Sequence, residues 1–215
     1  HFANAWDEND EITVIGHRFD TFDMNLFQLS KSSMNETTRD AAISHTQLYR
    51  WRISLRGAGK VEEDVLNMDV LYQQQIRPLM PVVHPQFIGQ RNRFLFTALY
   101  KYSDDGWVAR YVGIMKFDLE RGEIANTIMF GEHDSGNTEF AIISKSDGVD
   151  EDDVYLACII YDYRTKKSRV EIFDGKSMNE QSVATVQLKR KVPMGFHSIF
   201  VSQHDLDIMD KNLIS

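Results

Sequence analysis

Short runs of β-branched and aromatic residues, separated by turn residues, recur along this chain of 215 residues. Valine, isoleucine, threonine, tyrosine and phenylalanine favour a pleated, half-buried backbone, so runs of this length and composition predict strands. The predicted strands are Ile12–Ile15, Leu48–Leu55, Arg93–Tyr100, Val108–Phe117, Val154–Tyr161, Arg169–Phe173 and Ser182–Leu188. This pattern predicts an all-β fold.

Only one long segment has a helical pattern. Between Phe22 and Ala42, apolar residues are loosely spaced among polar ones and no proline interrupts them. Such spacing is typical of an amphipathic helix. We therefore expect one helical insertion, which would pack as a lid or as a separate element beside the strands.

A strand, a turn and a second strand recur three times, about sixty residues apart. The three copies are Trp51–Leu55 with Gly59–Val61, Ile114–Leu119 with Gly122–Ile124, and Val170–Asp174 with Ser182–Val183. This period fits the four-stranded blades of a β-propeller, so we predict about three blades; an all-β sandwich is the alternative. Three blades cannot close a ring, and the chain begins at His1 rather than methionine, so we expect further blades before it.

Composition narrows the functional classes. The chain is 42% hydrophobic and 26% charged, as in an ordinary globular protein, and its formal net charge is −8. An acidic protein without a concentrated basic surface is a poor partner for nucleic acid, so we expect none. Its longest apolar runs are far too short to span a bilayer. The single cysteine, Cys158, lies in an apolar run and is expected to fill the core.

Histidine is the residue type that could bind a transition metal here. The chain has seven histidines and one cysteine, so a metal would be held through imidazole, helped by carboxylates. No closely spaced histidine pair points to such a site. Two histidines nevertheless lie in distinctive surroundings: His1 opens HFANAWDE, and His197 ends VPMGFH.

These two segments resemble motifs of the carotenoid cleavage oxygenases. HFANAWDE is similar to the family's HxxNAWEE, in the tryptophan form that resembles plant members, and VPMGFH is similar to VPYGFHG. Three further segments lie between them in the family's order. PVVHPQFIGQRNRF (residues 81–94) resembles PxINPxxxGRKNRY, EDDVYL (151–156) resembles EDDGYLL, and FDGKSM (173–178) resembles DAKSM. Together the matches span nearly the whole chain, which is identified as a member of this family.

The resemblance implies a seven-bladed propeller in which four histidines hold Fe(II) and carboxylates hydrogen-bond to some of them. Such an enzyme uses dioxygen to cleave a double bond of a carotenoid or apocarotenoid into carbonyl products. It implies that His1 and His197 are iron ligands, and that Glu139 is a carboxylate behind a ligand. The other two ligands would precede His1. Residues 1–215 are then expected to be the C-terminal part of one propeller domain, without its N-terminal blades.

The chain departs from the family pattern near the expected iron. Leu79 stands where the family has an acidic residue, Val154 replaces a glycine, and Phe140 replaces a proline after Glu139. A degenerate, non-catalytic propeller that binds an apolar ligand or a protein is therefore the alternative function, and a generic all-β interaction domain is a third. The other five histidines are expected to be ordinary: His17, His45, His84, His133 and His204.

The remaining expectations concern location and partners. No obligate protein partner is indicated, and a peripheral contact with a membrane surface is left open. Members of the family occur in plastids and in the cytoplasm. The composition does not choose between these compartments.

Overall fold

A computed structural model describes residues 1–19, 46–57, 59–102, 109–137, 139–195 and 197–213. The helix predicted between Phe22 and Ala42 lies outside these residues. The described part of the chain consists mainly of antiparallel strands, which confirms the predicted all-β fold class.

The first four strands form one sheet. They are β1 (Phe2–Glu8), β2 (Glu11–Phe19), β3 (Thr46–Ser54) and β4 (Val61–Leu66). Each strand pairs antiparallel with the next along the chain, in the order β1-β2-β3-β4. This is the arrangement of one propeller blade.

The other nine strands form a second, continuous sheet. They are β5 (Ile76–Val82), β6 (Phe94–Tyr102), β7 (Ala109–Asp118), β8 (Glu123–Met129), β9 (Asp134–Gly136), β10 (Ala141–Ser144), β11 (Val154–Asp162), β12 (Lys167–Asp174) and β13 (Ala184–Gln187). Two four-stranded units are visible within it, β5 to β8 and β10 to β13, and the short β9 pairs with both β7 and β11. With the first sheet this gives three blade-like units, as the repeat predicts.

The repeated strand pairs of the sequence are hairpins in the structure. β3 pairs with β4, β7 with β8, and β12 with β13, always antiparallel. Each strand pair therefore occupies the same place in its own blade, as third and fourth strand. This equivalence explains the spacing of the repeat.

The described helices are short, and one of them corrects the sequence analysis. Helix α1 covers Asp69–Gln73, a 3₁₀ turn covers Pro85–Phe87, and helix α2 covers Gln203–Leu213. The sequence analysis placed its one long helix elsewhere and missed α2. The signal was present as a capping box: the Asp205 amide donates to Ser202 Oγ (3.1 Å), and Ser202 Oγ donates to Asp205 Oδ2 (2.6 Å).

The core lies between the blades. On β6, Leu95 and Leu99 face the first blade, whereas Phe96 and Ala98 face the third. The middle blade therefore buries both of its faces, and its strands carry apolar residues at successive positions instead of alternating with polar ones. Cys158 belongs to the second cluster, and burial raises the pKa of its thiol, as expected for a residue that fills the core.

Among the described residues, no helix has the length and apolar character needed to cross a bilayer.

Candidate metal centre

His1 is held by the edge of the first blade. The backbone amide of His17 donates to the His1 carbonyl (2.7 Å), and the terminal nitrogen of His1 donates to the His17 carbonyl (3.3 Å). These two bonds make His1 and His17 a directly opposed cross-strand pair. A β-bulge follows between Phe2 and Asn4, where the register of β1 on β2 shifts. Bulges of this kind re-aim side chains near functional sites.

Asn4, three residues after His1, connects the first blade to the second. Its side chain is buried, and Nδ2 lies 3.0 Å from the Phe87 carbonyl, 2.9 Å from the Gln90 carbonyl and 2.8 Å from Asn92 Oδ1. Its Oδ1 accepts from the Gly89 amide (2.9 Å). Asn4 thus connects the HFANAWDE segment to the PVVHPQFIGQRNRF segment and fixes the strand that carries His1.

The other shared motifs make similar connections. Glu151 Oε2 accepts from the backbone amides of Arg93 (2.6 Å) and Phe94 (2.9 Å), so the EDDVYL segment holds the end of the PVVHPQFIGQRNRF segment. The buried Lys116 donates to Asp152 Oδ2 (2.6 Å) and to the carbonyl of Gly175 (3.2 Å). These motifs therefore act as contacts between strands and blades rather than as chemical groups.

His197 lies beside Glu139. Its Nδ1 is 3.1 Å from Glu139 Oε1, and the same oxygen accepts from the Ser198 amide (3.0 Å). The Glu139 side chain is 9% exposed and that of His197 is 55% exposed. A carboxylate only accepts, so His197 Nδ1 carries the proton and Nε2 keeps its lone pair. This is the tautomer of a histidine prepared to bind a metal through Nε2.

The loop that carries His197 is fixed by Asn137. Its side-chain amide donates to the carbonyls of Val192 (2.6 Å) and Pro193 (2.9 Å), and its own carbonyl accepts from the Gly195 amide (3.3 Å). Asn137 and Glu139 lie on one segment, so the residue that positions the loop and the residue that orients the histidine move together.

The structure brings the two ends of the chain together at these histidines. The ring centres of His1 and His197 are 6.5 Å apart, with an angle of 72° between the ring planes. A metal–imidazole bond is about 2.1 Å long, so two rings on one ion have centres at most roughly 6–7 Å apart. The separation of His1 and His197 lies within this range, near its upper end.

The comparison with protein families decides the identity of the fold. The profile of the RPE65 family, described as retinal pigment epithelial membrane protein, matches residues 1–202. The chain belongs to the RPE65/carotenoid cleavage dioxygenase family. The carotenoid 9,10(9',10')-cleavage dioxygenase 1 of Arabidopsis thaliana is 28% identical and is covered over 37% of its length by 96% of this chain. The chloroplastic 9-cis-epoxycarotenoid dioxygenase NCED1 of Oryza sativa is 30% identical, over 96% of this chain and 30% of the enzyme.

Solved structures agree. The cobalt-substituted Synechocystis apocarotenoid oxygenase superposes with a TM-score of 0.71 and 25% identity, covering 92% of this chain and 38% of that one. The structural neighbours are propeller-type enzymes, which supports the partial propeller predicted from the repeat. The chain spans about 37% of the length of the Arabidopsis enzyme.

His17 was expected from the sequence to be an ordinary histidine. It is buried next to His1, and its Nε2 lies 3.4 Å from Thr97 Oγ1. Burial, together with the charge of the nearby His1 amine, lowers the pKa of His17 to about 3, so its imidazole is neutral. One signal was available in the sequence: His17 follows the core residue Ile15 by two positions, which places both on the inward face of β2.

Leu79 also lies at this point of the structure. A second β-bulge separates it from Pro81 in the pairing of β5 with β6, and Met80 between them has a positive φ of 56°. At the bulge, the Leu79 carbonyl accepts from Thr97 Oγ1 (2.7 Å). Leu79, Thr97 and His17 thus form a chain of contacts that starts where the family has an acidic side chain.

Two of the remaining described histidines are exposed, and one has a structural role. His84 caps the 3₁₀ turn, where its Nδ1 accepts from the Gln86 amide (3.1 Å). His133 and His204 lie at the surface. His45 lies outside the described residues.

Proposed function

We propose that the chain forms part of a non-haem iron dioxygenase that cleaves a carbon–carbon double bond of a carotenoid or apocarotenoid. His1 and His197 would bind Fe(II), and Glu139 would orient His197. The observation that carries the proposal is the approach of the two rings, 6.5 Å apart, from opposite ends of the sequence. Two motifs nearly two hundred residues apart along the sequence thus come close together in the fold.

The chemistry of the donor set fits iron. Fe(II) bound by neutral imidazoles keeps its positive charge and has open positions for dioxygen. Glu139 accepts the Nδ1 proton of His197, which fixes the tautomer and aims Nε2. Asn137 holds the loop that carries His197, and Asn4 holds the strand that carries His1. These bonds would keep each imidazole in place at the metal.

The rest of the site belongs to the parts of the protein that relatives have and this chain does not span. We propose that residues 1–215 are the C-terminal part of one propeller domain and that two further histidine ligands come from blades before it. The substrates would be a carotenoid or apocarotenoid and dioxygen. We expect a soluble or peripherally membrane-bound enzyme in a plastid or the cytoplasm, and some relatives are named as chloroplastic.

One observation favours a second function. Leu79 stands where the family has an acidic residue near the iron, and losing such a partner costs roughly ten- to a hundredfold in metal affinity or activity. A relative weakened in this way could persist as a non-catalytic propeller that binds an apolar ligand or a protein. The presence or absence of tightly bound iron separates the two functions.

The decisive experiment measures iron in the protein in its complete natural form, expressed and purified without oxygen. Elemental analysis is coupled to an assay of dioxygen-dependent carotenoid bleaching. About one iron per chain together with bleaching supports the dioxygenase. A folded protein that retains no iron and bleaches no carotenoid contradicts it and supports the binding propeller.

A further inference from the structure

The two candidate ligands differ in what stands behind them. Histidines that bind metals almost always donate their other ring N–H to an acceptor, which fixes the ring and raises its basicity. His197 has Glu139 for this purpose. On the His1 side of the site, Leu79 stands where the family has an acidic residue, and its side chain has no acceptor.

His17 lies where such an acceptor is needed. The two backbone hydrogen bonds between His1 and His17 make them directly opposed residues on β1 and β2. Side chains of opposed residues project from the same face of a sheet, with their Cβ atoms about 5 Å apart. Both side chains therefore project from the same face of the first blade, the face on which His17 meets Thr97 of the second blade.

The protons around Thr97 determine which nitrogen of His17 can accept. Thr97 Oγ1 has one proton, and the Leu79 carbonyl accepts it at 2.7 Å. Toward His17, Thr97 Oγ1 can only accept, so the proton of the neutral ring is on Nε2, 3.4 Å away. The lone pair is then on Nδ1, which is fully buried and has no hydrogen-bond partner within the described part of the chain.

A buried acceptor without a donor carries a desolvation cost that nothing offsets. His17 would lose this cost if a donor reached Nδ1 when the site is complete. The His1 ring is exposed and belongs to the residue paired with His17, and it would have one N–H left with its other nitrogen on a metal. His17 lies on β2 and Asn4 on β1, the strand pair that carries His1. Each of them can therefore influence the position of His1.

We propose that His17 is a positioning residue: its Nδ1 accepts the ring N–H of metal-bound His1 and replaces the carboxylate lost at Leu79. This inference rests on the proposed metal centre. In this arrangement, His17 Nδ1 is the acceptor in place of the carboxylate that Leu79 lacks. The Thr97 hydroxyl and the Leu79 carbonyl fix the tautomer of His17.

The test is a titration of the complete natural protein with Fe(II) and, separately, with Co(II), followed by the visible absorption of the cobalt form. We expect His17→Leu to weaken both metals roughly ten- to a hundredfold and to change the cobalt spectrum. His17→Asn, which keeps an acceptor near the Nδ1 position, should retain most of the affinity. Adding Leu79→Glu to His17→Leu should recover it, and His133→Leu serves as the control at an exposed histidine.

Each of the following outcomes contradicts part of the proposal or keeps it testable. Wild-type affinity in His17→Leu overturns the positioning role while leaving the metal centre in place, whereas a wild-type protein that binds neither metal overturns both. Equal loss of affinity in His17→Leu and His17→Asn, without recovery by Leu79→Glu, also contradicts the exchange of acceptors. If His17→Leu does not fold, His17→Gln replaces it: its amide lies near the Nε2 position, so it should lose affinity that His17→Asn keeps.

Discussion

Different chemical groups lie behind the two histidines of the candidate metal centre. The His197 corner, formed by His197, Glu139 and Asn137, orients its imidazole with a carboxylate. The His1 corner, formed by His1, His17, Thr97 and Leu79, has a neutral imidazole and a hydroxyl in the equivalent place. A carboxylate brings a negative charge to the metal ligand, whereas a neutral histidine brings only a lone pair. Under the proposed metal centre, a change in charge behind a ligand would be tolerated provided that an acceptor remains.

The largest effect is expected at His197. His197→Ala removes a ligand outright, so it should abolish both iron retention and carotenoid turnover in the complete protein. Iron content by elemental analysis and the bleaching assay check this prediction. His133→Ala, at an exposed histidine with only a backbone hydrogen bond, should leave both unchanged. Normal iron content in His197→Ala would exclude this residue as a ligand and leave the His1 corner without its counterpart.

Glu139→Gln tests the negative charge of the His197 corner without removing a ligand. The amide keeps the size of the side chain but loses the negative charge, so metal affinity should fall by roughly ten- to a hundredfold. A titration with Co(II) measures the change, and Glu132→Gln, at an exposed acid nearby, is the matched control. If affinity stays within a factor of two, the charge of Glu139 has no role in holding the metal and the two corners are equivalent.

Asn4→Ala tests how the His1 corner is attached to the second blade. The change leaves the buried Asn92 oxygen and the Gly89 amide without their partner, so the free energy of unfolding should fall by about 1–3 kcal/mol. Chemical denaturation measures this loss. Asn126→Ala, at an exposed asparagine, should change stability far less. An unchanged free energy of unfolding in Asn4→Ala would show that the link between the first two blades does not depend on this side chain.

Leu79→Glu alone should have the smallest effect. With His17 already serving as acceptor, a returned carboxylate has little to add, and metal affinity should change by less than about tenfold. The same cobalt titration measures it, with Leu79→Gln as an uncharged control of similar size. A much larger gain would show that the His1 corner lacks an acceptor in the natural protein.

Much of the fold could be predicted from local patterns. Seven strands were predicted, and each overlaps a strand of the structure, because β-branched and aromatic residues in short runs report burial on a pleated surface. β1, β5, β9 and β10 were missed as strands, the last two being only three and four residues long. β1 carries polar motif residues such as Asn4 and Asp7, and β5 carries two prolines, so both lack the composition of a typical strand. Helix α2 was missed because its apolar residues are few and remain exposed.

The candidate site could be predicted only for residues that lie within a recognisable motif. His1, His197 and Glu139 were proposed from their flanking sequences, and the structure places them close together. His17 and Thr97 have no such flanks. His17 was set aside as an ordinary histidine, since nothing in a single sequence shows that residue 17 lies opposite residue 1 and next to residue 97.

The sequence by itself determined the strands, the repeated hairpins and the five motifs, because side-chain alternation and turn chemistry depend on residues that are close along the chain. Only the tertiary structure decided which side chains meet. The approach of His1 to His197, and of His17 to Thr97, depends on strand register and on the packing of one blade against the next. A shift of one residue in register would turn His17 to the opposite face of its sheet, which is why its surroundings could be known only from the folded chain.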